Sequence, residues 1–113
     1  MSYSKYRAKK VTIDGIRFDS KREARRYLTL KAAQDAGEIS DLQLQKPYLL
    51  IPAQKDPDTG KTIERACKYK ADFVYKDVDG KEIVEDVKGK KLPEYVIKRK
   101  LMLKVHGIRI REI

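Results

Sequence analysis

Two aspartates and a lysine stand at spacings suited to hydrolytic chemistry. Asp72 and Asp86 are separated by thirteen residues, Lys88 follows two positions later, and all three lie within KYKADFVYKDVDGKEIVEDVK, residues 68–88. If this stretch is a β-hairpin, register decides whether the two carboxylates meet, because a one-residue slip turns a strand's side chains to the other face. A two-residue loop at Asp79-Gly80 sets Asp77 against Glu82 and puts Asp72 on the face opposite Asp86. A four-residue loop sets Lys76 against Lys81, so both registers juxtapose like charges. A three-residue loop, Val78-Asp79-Gly80 with Gly80 left-handed, instead pairs Lys76 with Glu82, Val74 with Val84 and Asp72 with Asp86. This is the register expected. It brings the carboxylates side by side with Lys70 and Lys88 next to them, and leaves Tyr69, Ala71, Phe73 and Tyr75 on the other face.

Adjacent carboxylates repel, and burying them uncompensated is costly, so something positive must share the site. A salt-bridge cluster with Lys70 and Lys88 is one answer; a hard divalent cation, which takes oxygen ligands and keeps several waters, is the other. With Glu23 added, three acids and one lysine suffice to surround Mg²⁺.

The elements that must position these groups can be read along the chain. Val11 to Phe18 forms a small hairpin whose Asp14-Gly15 turn pairs Ile13 with Ile16 and Val11 with Phe18. Ser20 to Ala36 is a first helix stopped by Gly37. Arg22, Arg25 and Arg26 fall on its outer side, and Ala24, Tyr27, Leu28 and Leu30 largely on the inner side. Glu23 belongs to the inner side, yet Ser20-Lys-Arg-Glu23 is also a capping box, so its role stays open between cap and site. Ile39 to Pro52 reads as one or two strands broken near Lys46-Pro47, and DPDTG, residues 56–60, as a plain turn whose acids match no calcium motif. Gly89 to Pro93 is a short basic connection carrying Lys90 and Lys91.

Glu94 to Val105 is a second helix closed by Gly107, and Ile108 to Ile113 alternates as a half-buried final strand. Tyr95, Ile97, Leu101, Met102 and Val105 make the helix's apolar stripe, from which Lys98 projects either as a snorkelling side chain or as a cation aimed at the site of Lys88. Val96 and Leu103 form a second apolar patch suited to a subunit contact. His106 follows the helix end, where a partly positive ring suits the dipole.

The 113 residues correspond to one domain, spanning 1–113, with residues 1–10 as a basic arm that is either solvated or set against nucleic acid. The net charge of +10 divides at about +5 per half, which marks the body itself as basic and a polyanion as its partner. Arg22, Arg25, Arg26, Lys70, Lys90 and Lys91 are the candidate phosphate contacts. Cys67 is the single cysteine, which excludes an intrachain disulfide or a cysteine-rich zinc site and fits a reducing compartment. No apolar run approaches a membrane span and the basic N-terminus lacks a secretory core, so a cytoplasmic protein with no membrane partner is expected. Zinc-finger spacing and phosphate-binding glycine loops are absent.

Asp72, a gap of thirteen, then Asp86-Val87-Lys88 resembles the PD-(D/E)XK nuclease signature, with Ala71 where that motif's often-missing proline stands. The order of elements, a helix with an inward Glu, three core strands, then a helix and a strand, is similar to that superfamily's common core. SKREARRYLTLKAAQDAGEISDLQLQKPYLL, YKADFVY, VEDVKG and YVIKRKLMLKVHG are also similar to a small phage and prophage family grouped with Holliday-junction-resolvase-like nucleases, over about residues 6–113.

The resemblance implies an α/β fold with a restriction-endonuclease-like core, a mixed β-sheet flanked by two main helices. It further implies that Asp72, Asp86 and the Val87 carbonyl hold Mg²⁺ (or Mn²⁺), that Glu23 ligates or orients a metal water, and that Lys88 positions or activates the attacking water and stabilises the developing charge; Lys98 is a catalytic candidate from the helix pattern alone. Branched DNA is the implied substrate, and a homodimer the implied assembly, since symmetric resolution of a four-way junction needs two active sites. Asp at 86 departs from the Glu of many members and shortens the reach to a metal.

Overall fold

The structure, a computed structural model, describes residues 10–87 and 90–113. Its centre is the hairpin of β6 (Cys67–Lys76) and β7 (Glu82–Asp86), joined by the three-residue loop. Val74↔Val84, Tyr75↔Ile83 and Lys76↔Glu82 pair as expected, and Gly80 adopts φ 81. Asp77 closes the turn: its N–H donates to the Lys81 carbonyl, while its carboxylate accepts from the Asp79 and Lys81 amides at 2.9 Å each. A turn fastened this tightly holds the register that places 72 opposite 86.

Around the hairpin lie β1 (Val11–Ile13), β2 (Ile16–Phe18), α1 (Lys21–Asp35), β3 (Ser40–Ile51), β4 (Gln54–Lys55), β5 (Thr62–Glu64), α2 (Pro93–Leu101) and β8 (Arg111–Glu112). The main sheet has the order β3-β6-β7-β8, antiparallel except for the parallel β7–β8 pair. It is a mixed sheet with α1 packed on one face and α2 on the other. Strands β6 and β7 are buried from both sides over Phe73–Tyr75 and Ile83–Asp86, so consecutive residues there are buried rather than alternate ones.

Ser20 caps α1 as read from the sequence, its Oγ accepting from the Glu23 N–H at 3.1 Å, and Gly37 ends it at φ 77. The β1–β2 hairpin has the expected pairing, with Asp14 and Gly15 both at positive φ.

Three expectations change. Strand β3 is not broken at Lys46-Pro47: Pro47 pairs with Lys70 on an edge strand, where the missing N–H costs the sheet nothing. The turn expected at 56–60 is present, but it joins two short strands not foreseen, β4 and β5, whose residues are all exposed. Finally, α2 is shorter than expected and passes into a π-helical turn, Met102–His106, ended by Gly107 at φ 68. The extra residue in that turn shifts the helical phase. Tyr95 and Met102 remain buried, whereas Val105 is exposed, as is Ile97 on the outer side of α2.

Candidate active site

Strand β6 does not keep one alternation along its length. Tyr69 and Ala71 pack with Val74 on the α2 face, whereas Phe73 and Tyr75 pack under α1. The four do not share a face as the simple pleat requires. Strand β3 changes in step, with Leu44 under α1 and Tyr48 and Leu50 on the α2 side. The register is the same on both sides of the change, Leu44↔Phe73 and Lys46↔Ala71, but the intervening pair, Gln45 and Asp72, drops out of the ladder and Gln45 takes φ 56. Both pleats therefore reverse at Asp72. Strained backbone of this kind is characteristic of functional positions.

Freed from the ladder, the Asp72 carboxylate accepts the Val87 N–H at 2.8 Å, with a long contact of 3.4 Å from the Gln45 amide. Asp86, on the α2 face, accepts the Tyr69 hydroxyl at 2.6 Å. The two carboxyls adjoin. Burial, reinforced by the neighbouring Asp86 charge and opposed by the Val87 amide, pushes the Asp72 carboxyl up to about 6. Burial and the Asp86 carboxylate also drive the Tyr69 hydroxyl upward, so it stays a donor at all ordinary pH values.

Among the described residues only Glu85, 0 % exposed, and Asp86, 2 % exposed, are both charged and buried, and they are consecutive. Glu85 faces α1, where Arg26 grips it through two bonds at 2.7 and 2.5 Å and the Tyr75 hydroxyl adds a third. The pair raises Arg26, and burial beside Glu85 pushes Tyr75 up to about 12. Arg26 is thus not the outward phosphate contact that its helix position suggests. It lies one turn before the inward Leu30, and that spacing together with the acid inside IVEDV was the available signal. Beyond Asp86, Ile113 N–H donates to the Asp86 carbonyl, and Glu112 is held by Lys91 at 2.8 Å, Arg99 at 2.9 Å and the Tyr95 hydroxyl at 2.7 Å. These donors lower the Glu112 carboxyl to about 2.

The other candidate residues are dispersed. Glu23 is half-buried and its amide is spent on the Ser20 cap, and no group of three or more His, Cys, Asp or Glu is gathered among the described residues. Val87 presents its N–H to Asp72. Arg22 donates to the Ile113 carbonyl at 2.9 Å, Lys91 is committed to Glu112, and Lys98 pairs with Glu94 at 3.7 Å on its own helix. Arg25, Lys70 and Lys90 are exposed. Lys88, with Gly89 and the arm at 1–9, lies outside the described residues.

The donor set of Asp72 and Asp86 is all oxygen and carries two negative charges, with one oxygen of each already held in place by Val87 or Tyr69. Mg²⁺ is typically bound by one or two carboxylates and keeps several waters, so two fixed carboxylates fit it without a third acid. Searched against known proteins, residues 3–111 match a family model described as Protein of unknown function (DUF1064). No curated protein and no solved structure matches the chain. No helix among the described residues is long and apolar enough to cross a membrane.

Proposed function

The chain belongs to the DUF1064 family of proteins of unknown function, so its chemistry has to be argued from its own residues, and we propose a metal-dependent endonuclease with a restriction-endonuclease-like core. Its substrate is DNA, with branched DNA first, as suits Holliday-junction-resolvase-like work in phage recombination or replication by a cytoplasmic homodimer. The observation that carries this reading is the Asp72–Asp86 pair, a half-buried and a buried carboxyl brought together on a basic protein at a point where two strands abandon their ladder.

A bound Mg²⁺ or Mn²⁺ would supply a water that is nucleophilic near neutral pH and a Lewis acid at the phosphate. Asp72 and Asp86 hold the charge for it; Val87 N–H and Tyr69 hydroxyl fix the rotamers of those carboxylates. Lys88, two residues after Asp86, is the cation assigned to the attacking water and to the developing phosphate charge.

A second reading is a non-catalytic basic protein that binds nucleic acid and uses the carboxylates only in ion pairs; its support is that no third acid is grouped with the pair among the described residues. One experiment separates the two. Labelled four-way junction, duplex and single-stranded DNA are incubated with Mg²⁺ or EDTA, using the parent and Asp72→Ala, Asp86→Ala and Lys88→Ala. Mg²⁺-dependent cutting that the variants lose while still binding junction supports the nuclease; equal behaviour of parent and variants leaves the binding protein. Thermal stabilisation by Mg²⁺ in the parent alone gives an independent readout.

A further inference from the structure

Strands β7 and β8 pair only at Glu85↔Arg111 and Asp86↔Glu112, and before that point they part. The gap along Glu82–Val84, roofed by the end of α2, is a cleft of about 710 Å³ that runs from Lys81 to Glu112, the ladder partner of Asp86. Lys81, Lys100 and Arg109 line it, all exposed and none in an ion pair among the described residues. Its two acids are already satisfied: Glu82 by Lys46 and the Tyr48 hydroxyl, Glu112 by Lys91, Arg99 and Tyr95. What the cleft presents outward is therefore uncompensated positive charge. Among the described residues no aromatic side chain lines it, which sets it apart from grooves built to stack the bases of single strands.

We propose that this cleft is a phosphate-binding rail that carries the backbone of a DNA duplex arm away from the Asp72–Asp86 pair. It rests on the nucleic-acid reading above for the identity of the polyanion, and it adds three contact residues that neither the nuclease signature nor the sequence pattern singles out. Contacts of this type are blind to sequence and are lost as salt rises, each contributing about 0.9 to the slope of log K against log salt.

The test is duplex binding in EDTA, where no cutting intervenes, as a function of salt. The triple variant Lys81→Gln/Lys100→Gln/Arg109→Gln is compared with Lys31→Gln/Lys55→Gln/Lys61→Gln, which removes the same charge from α1 and the β4–β5 hairpin. The cleft variant should bind at least about tenfold more weakly, with a salt slope reduced by about 2–3, equally for duplexes of different sequence. The control variant should change far less. The rail is overturned by equal losses in the two variants, by a loss confined to single-stranded DNA, or by a cleft variant that dissociates a dimer without altering DNA binding. Lys81→Arg/Lys100→Arg/Arg109→Lys, with an unchanged thermal midpoint, should restore binding and guards against misfolding. Cutting by the parent in Mg²⁺ is read separately: a parent that binds through these three residues but never cuts upholds the rail and removes the nuclease reading alone.

Discussion

Glu85 and Asp86 are neighbours in one strand, equally buried, and face opposite sides of the sheet with opposite fates. On the α1 side Glu85 meets a guanidinium and a hydroxyl that together satisfy its charge. On the α2 side Asp86 meets a tyrosine hydroxyl and a second carboxyl, held there by a reversed pleat. The first arrangement is what a fold builds to tolerate a charge; the second brings two carboxyls together, a placement that suits binding a cation. An acid in a core thus says little by itself. Its partners distinguish structure from chemistry.

Removing either side of that contrast gives the largest effects. Asp86→Ala or Asp72→Ala should lower Mg²⁺-dependent cutting by more than about a hundredfold in a gel assay while leaving the fold intact. Arg26→Ala should do the reverse, stranding the Glu85 charge and destabilising the protein by about 3 kcal/mol in urea titration. Arg26→Met combined with Glu85→Leu should recover most of that loss, because replacing both partners of a buried pair leaves no orphan.

Smaller effects sharpen the comparison. Asp72→Asn should raise the thermal midpoint in EDTA at pH 7 by roughly 4 °C, since it removes a carboxylate that the fold disfavours. The sign follows from the raised carboxyl. The folded protein binds the Asp72 proton more tightly than the unfolded chain does, so stability falls as pH rises from about 4 to about 6, and this slope should vanish in Asp72→Asn. Glu112, lowered to about 2, acts oppositely and at lower pH, its contribution being complete above its usual value of 4.5 and lost as pH falls toward 2. Differential scanning fluorimetry between pH 4.5 and 6.5 isolates the Asp72 effect. Smallest of all, Lys98→Ala should cost less than about 0.5 kcal/mol and leave cutting within twofold, because its ammonium sits with Glu94 on an exposed helix turn. A tenfold loss of cutting would return Lys98 to the site.

Much of this geometry was legible before any coordinates. The DVDG turn, with like charges mispaired in two of three registers, was enough to fix the β6–β7 pairing, and Ser20, Asp14-Gly15 and Gly37 marked their elements, because each is decided by residues within one turn of each other. What lay beyond local reach was the behaviour of pairs distant in sequence. Nothing near Asp72 announces that its pleat reverses; the cause includes Gln45, twenty-seven positions away, leaving the ladder with it. Arg26 looked like one more surface cation until a strand fifty-nine residues later brought Glu85 beneath it. The amino-acid sequence alone determined that two aspartates would stand on neighbouring strands of a basic protein, since side-chain alternation and turn chemistry are local rules. Only the tertiary structure decided which buried acid meets a guanidinium and which adjoins a second carboxyl, because burial and partner choice are properties of surfaces that the chain assembles from segments far apart.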